Sequence, residues 1–183
     1  SEDGTSDFEP KGNVKMICHE EPLGYGGCLM SAIKFAEGNF ENLVLADISY
    51  KNFCEAADIA LNALEESDIT SIARIQREKT ADEDYRVFAL DDLVTERLND
   101  ELSLNLSDIF SPFKAFRLDA IRDMTLEEFD EAIILQLWIQ SVHFGKTIKE
   151  IYYAGISDTS VTDASQLERD LDYYLDFIDG ESL

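Results

Sequence analysis

Two apolar rhythms alternate along this chain, and their alternation limits it to an α/β (α+β) layer structure. Short clusters of β-branched, aliphatic and aromatic residues read as strands: 14–18, Leu43-Val44-Leu45, Ile69 with Ile72 and Ile75, Tyr85-Arg86-Val87-Phe88, the stretch holding Phe113, Phe116, Leu118 and Ile121, and Thr147 to Ala154. Between them the apolar residues recur at helical spacing. Leu29, Ile33 and Ala36 predict a short helix from Cys28, closed by Gly38. Phe53, Ala56, Ala57, Ala60, Leu61 and Leu64 predict a second helix, with Ser49 as its N-cap. An amphipathic helix follows from Leu90 to Leu102. Thr125-Leu126-Glu127-Glu128 has the form of a capping box opening a long apolar helix through Trp138. The last helix is expected from about Ser165 to Ile178, ending at Gly180.

Segment 1–13 mixes acids, Gly, Ser and Pro without periodicity and is expected to be a flexible acidic arm. The rest divides into a first lobe over 14–104 and a second over 105–183, packed as one compact unit. Shifting the chain by 76 residues aligns the two lobes with about ten identities, among them Phe40 with Phe116, Asp47 with Asp123, Phe53 with Phe129 and Ala56 with Ala132. The expectation is therefore two duplicated β-α-β-α lobes related as in a fused dimer.

Charge narrows the function classes. The chain carries 39 Asp and Glu against 15 Lys and Arg, for a net charge of −24, while 45% of its residues are hydrophobic. That much apolar material folds. That much negative charge repels nucleic acid and anionic membranes and draws in basic proteins. Adaptation to high salt and a merely solvated surface are the plainer explanations, but the plentiful Ile, Leu and Phe favour a binding role. Cys18, Cys28 and Cys54 cannot all pair with one another and have no metal-ligand spacing, which suits a reducing compartment. No apolar run has the length of a membrane span, so the expected location is the cytoplasm, or a host cell or virion for a viral protein.

Acidic residues at four-residue steps stack along one helix face about 6 Å apart. Asp92, Glu96 and Asp100 form one such line, and Glu168, Asp172 and Asp176 form another in the same 76-residue register. That interval is close to the phosphate spacing of a nucleic-acid strand, so the two lines are the candidate partner-binding residues. A solvated helix face is the simpler account of each. Acids at Glu65, Glu66, Asp68, Asp82, Glu83, Asp84, Glu127, Glu128 and Asp130 sit at predicted helix ends and turns and need no functional reading.

Residues for catalysis are scarce. His19 and His143 have no metal-binding spacing, Gly24-Tyr25-Gly26-Gly27 lacks the Lys-Ser/Thr of a phosphate loop, and Asp82-Glu83-Asp84 lacks the Gly and terminal Glu of a calcium loop. No cofactor and no metal are expected. Gly24-Tyr25-Gly26-Gly27-Cys28-Leu29-Met30-Ser31-Ala32-Ile33 resembles the nucleophile segment of ovarian-tumour-type cysteine proteases, in which a Gly-rich turn leads to Cys-Leu at a helix start. The resemblance spans ten residues and lacks the family's opening Asp. It implies Cys28 as nucleophile and His143, followed by Phe144, as its base. Read without the resemblance, Cys28 and Cys54 are small core residues and His143 ends a helix.

The leading expectation is a non-enzymatic acidic protein that mimics nucleic-acid charge and inhibits a DNA- or RNA-binding protein or nuclease, as phage anti-defence proteins do. Its partner is a basic protein, with no direct contact to nucleic acid or membrane. A viral structural or interaction protein, or an acidic chaperone for a basic client, is the alternative.

Overall fold

In the computed structural model, residues 9, 11–74, 85–156 and 164–180 are described, with 85–90 and 164–169 described by backbone alone. The elements run α1 (Gly24–Ala36), β1 (Asn42–Leu45), α2 (Phe53–Ala63), β2 (Ile69–Ala73), α3 (Tyr85–Leu102), β3 (Lys114–Arg117), α4 (Leu118–Ile121), α5 (Ala132–His143), β4 (Ile148–Tyr152) and α6 (Ala164–Gly180). The fold is mixed α/β, as expected. Most of the arm, Ile75 and the turn 79–84 lie outside the described residues.

The four strands form one sheet in the order β1-β3-β2-β4, with β3 antiparallel to both neighbours and β2 parallel to β4. Alternation along each strand splits the apolar residues between two faces. Val44, Ile72, Ala115 and Ile151 face α2, where they meet Ala56, Ala60 and Leu64. Leu43, Ile69, Phe116 and Ile148 face the other core, with α1, α3, α5 and α6. Helix α5 lies in the middle of that core: Ala132 through Ile139 are all buried, which explains its apolar character all round. Trp138 is fully buried and its indole N–H donates to the carbonyl of Ile109. Among the described residues no helix is long and apolar enough to cross a membrane.

The 76-residue register is not matched by symmetry in the sheet. Exchanging β1 with β3 and β2 with β4 does not reproduce the observed order, because β3 is inserted between the first half's two strands. The pseudo-dimer relation is therefore not confirmed.

Several local expectations are corrected. Residues 14–18 form no strand; they are exposed throughout and have no neighbouring strand to pair with. Tyr85 to Phe88 is the start of α3, since a four-residue apolar run fits either period and here the helix continues through it. Ser49 does not cap α2; its N–H donates to Oδ1 of Asp47 within the turn before the helix. The strand expected over Phe113 to Ile121 stops at Arg117, and Leu118–Ile121 turns into α4. The capping box at Thr125 does not open α5. Side-chain oxygens of Gln140 and Gln136 instead accept the Thr125 and Glu127 N–H groups, Asp130 Oδ1 accepts the Ala132 N–H, and the helix begins at Ala132.

The glycine-rich segment is likewise the first turn of α1, and its glycines serve close packing. A Cβ at Gly26 would lie 2.1 Å from the Glu128 carbonyl oxygen, while the Gly26 N–H donates to the Phe129 carbonyl at 3.0 Å. Because the clash is with backbone, no rotamer relieves it. Gly26→Ala should push α1 away from 128–129 and destabilise the fold by about 2–3 kcal/mol, read as a fall in Tm.

Candidate functional site

The two carboxylate lines fall on helices that pack directly against each other, α3 and α6. Val94 and Leu98 on α3 and Tyr174 and Ile178 on α6 are buried in the shared core, which turns the lines toward solvent. Glu96 and Asp100 are exposed and Asp92 is half-buried; Asp172 and Asp176 are exposed. The backbone of Glu168 continues the α6 line by one turn, and its side chain lies outside the described residues. Arg97 Nη2 lies 2.5 Å from Asp179 Oδ1 across the seam and 3.4 Å from Glu101 one turn along α3. Those two acids neutralise Arg97. Among the described residues, Glu96, Asp172 and Asp176 make no ion pair. The packing thus puts the exposed acids Glu96, Asp100, Asp172 and Asp176 on two helices in direct contact.

Three of the acids assigned to turns and helix ends, Glu66, Asp68 and Glu128, have local roles. Glu66 binds Lys149, which holds its carboxyl below the usual range. Asp68 accepts both the N–H and the hydroxyl of Thr147, and those bonds, opposed by burial, lower its pKa. Glu128 accepts from the Tyr173 hydroxyl at 3.1 Å. Each of these contacts ties two elements together.

A second group of charges went unrecognised in the sequence. At the C-terminal ends of β2 and β4, Arg74 meets Asp108 through a two-pronged pair of 2.7 and 2.8 Å, and its backbone N–H binds the same carboxylate at 2.9 Å. Asp91 of α3 lies 3.7 Å from the Arg74 guanidinium. Glu150 accepts the backbone N–H groups of Ser107 and Asp108 at 2.7 and 3.0 Å. Lys114, fully buried, donates to the Ser111 carbonyl and lies with Nζ 5.7 Å from the Trp138 ring centre. In the sheet, Lys114 pairs with Ser71 and Ser71 with Glu150, so one row of polar side chains crosses the α5 side of the sheet. The Ser71 hydroxyl is buried and makes no hydrogen bond.

Burial shifts these groups strongly. It lowers Lys114 to about 7, against the opposing pull of Asp108 and Glu150. It raises Asp91 to about 7 although Arg74 favours the charged form. It also raises Glu150, in opposition to the two N–H donors. Burial works against the Arg74 charge too, but Asp108 and Tyr50 hold its pKa above the ordinary arginine value. Chemically the group acts as a clamp: it fastens the loop 103–113, whose backbone N–H groups at Ser107 and Asp108 would otherwise be unpaired, onto the strand ends. The sequence signal was faint, namely single charged residues next to or within apolar strand runs.

The protease-like residues are not brought together. Cys28 lies on the second turn of α1, beyond the reach of a helix N-terminus, and lines a pocket of about 370 Å³ with Leu45, Asp47 and Pro112. His143 ends α5 just before Thr147, which binds Asp68 at the start of β2. Leu45 and Asp68 mark opposite ends of the sheet. His143 packs edge-on against Phe144. His19 instead contacts Ser31, whose hydroxyl donates to the Gly27 carbonyl, so the imidazole does not withdraw the serine's proton. Cys28 and Cys54 are exposed, correcting the expectation of core thiols: the buried side of α2 is Ala56, Ala60 and Ala63, and Cys54 faces away from it. Among the described residues no group of three or more His, Cys, Asp or Glu side chains could hold a metal. Compared with known proteins, the chain matches no family model and no curated protein.

Proposed function

We propose that the protein is a non-enzymatic acidic binding protein whose α3 and α6 carboxylates occupy a basic, nucleic-acid-binding surface of another protein and inhibit it. One observation carries this reading: the exposed acids Glu96, Asp100, Asp172 and Asp176 lie on two helices packed side by side. Like charges at four-residue steps cost a few tenths of a kcal/mol per pair. Arg97 and Arg169 stand between two of these steps, but Arg97 is engaged by Asp179 and Glu101, so the remaining repulsion is a cost to the helix alone and a gain only once a basic surface covers it. Association of this kind is steered over distance, speeds encounter and weakens steeply with salt.

The test neutralises both lines at once, as D92N, E96Q, D100N, E168Q, D172N and D176N. Pull-downs at low and high salt are compared between the native chain and this variant, with displacement of DNA or RNA from the captured protein as the second readout. The native chain should capture a basic protein at low salt, release it at high salt and displace its nucleic acid. The variant should lose at least about tenfold in affinity, with its circular dichroism spectrum as the check that the fold is kept. Equal capture by both forms would reject the proposal.

A further inference from the structure

A groove of about 730 Å³ opens at the C-terminal end of β3, between the C-terminal ends of α1 and α2 and the start of α4. We infer that this groove is a second anchor for the basic partner, seating an arginine or lysine of an extended segment with an aliphatic neighbour; the inference rests on the proposal of a basic partner.

Three features select that occupant. Glu37, Glu41 and Glu65 line the groove, are exposed, and make no ion pair among the described residues. The ends of α1 and α2 point their negative dipole poles at the same space. Phe40 and Leu61, 59% and 39% exposed, also line it. Large apolar side chains left in water among carboxylates suit a ligand with a charged head on an apolar stem: the methylenes lie on the ring and the leucine, and the cation reaches the glutamates.

The groove also contains two arginines: Arg117 is paired locally, and Arg122 makes no ion pair among the described residues. Arg117 is held by Asp119 through a two-pronged pair of 3.2 and 2.8 Å and lies 4.0 Å from Asp68. Arg122 acts on the same Asp119, whose carboxyl is held low first by Arg117 and then by Arg122. Glu37, Glu41, Glu65 and Asp119 outnumber these two arginines, which sets the sign of the groove. A basic ligand leaves the Arg117 pair intact.

The probe is the peptide acetyl-Arg-Leu-Arg-Leu-Arg-amide, titrated into the full-length 15N-labelled chain at low and high salt. The expected result is salt-sensitive movement of the amide signals of Gly38, Asn42, Asn62 and Glu65. Combining Phe40→Ser, Glu41→Gln and Glu65→Gln should weaken the peptide about tenfold, while D172N with D176N changes it less than about threefold. All five positions are exposed, so the fold is expected to survive, with circular dichroism as the check. Signals moving only on α3 and α6 would remove the groove and leave the basic-partner reading in place. No movement, or equal binding by the triple variant, would also overturn the groove. Groove binding by the peptide alongside unchanged partner capture in the six-carboxylate variant would keep the groove and remove the role of α3 and α6.

Discussion

Asp108→Ala should lower the stability of this protein by about 3–5 kcal/mol, the range for removing one partner of a buried ion pair. Asp108 has only 2% of its side chain exposed and alone neutralises Arg74 at close range, with three hydrogen bonds to that residue. Without it the guanidinium keeps its charge in a half-closed site, with Asp91 at 3.7 Å as a poorer partner whose own burial favours protonation. Urea denaturation measures the loss as a shift in midpoint at constant slope. Asp108→Asn should cost nearly as much, because shape is kept and charge is not. A loss below about 1 kcal/mol in both variants would mean that the clamp adds little to the fold.

Lys114→Met is expected to act in the opposite direction, stabilising the protein at neutral pH, because burial penalises the Lys114 ammonium. Burial has lowered the Lys114 pKa from 10.5 to about 7, so the unfolded chain holds a proton between those values that the folded chain has released. Stability contributed by this residue therefore rises as pH climbs from about 7 toward 10.5. Asp91 behaves inversely. Its folded pKa of about 7 lies above 3.8, so the folded chain holds the extra proton and stability falls as pH rises across that interval. Together the two groups place a minimum near neutrality. Urea midpoints measured from pH 6 to 10 should rise above pH 7 in the native chain relative to Lys114→Met, in which this increment is absent. Parallel curves for the two forms would show that the Lys114 ammonium is not penalised in the fold. The methionine keeps the volume beside Trp138 and leaves one carbonyl, that of Ser111, without its donor.

Where a segment's own period was long enough to be unambiguous, the sequence was legible. Helix α2 and helix α6 begin and end within a few residues of expectation, and Leu43-Val44-Leu45 lies inside β1. Short runs were not. Tyr85 to Phe88 was open to either period and joined a helix, whereas Val14, Met16 and Ile17 are apolar residues with no strand beside them. The capping box at Thr125 failed because Gln136 and Gln140, from the middle of the helix, took the backbone groups that a local cap would have used. A local motif competes with every polar side chain the fold delivers, and the chain order does not show which will arrive.

The acidic lines show the same division. Four-residue spacing alone placed Glu96 with Asp100 and Asp172 with Asp176 on helix faces, because helical geometry is local and the buried positions between them fix the outward side. That α3 and α6 lie against each other is a tertiary fact, set by Val94, Leu98, Tyr174 and Ile178 sharing one core. The clamp of Arg74, Asp91, Asp108, Lys114 and Glu150 is wholly tertiary: its members come from three strands or strand ends, a helix and a loop, and are far apart in the chain. Composition and period by themselves determined a negatively charged α/β protein with solvent-facing carboxylates, because charge is additive and helix faces are periodic. Only the folded chain decided which charges would be buried together, because burial depends on contacts between segments that no local spacing records.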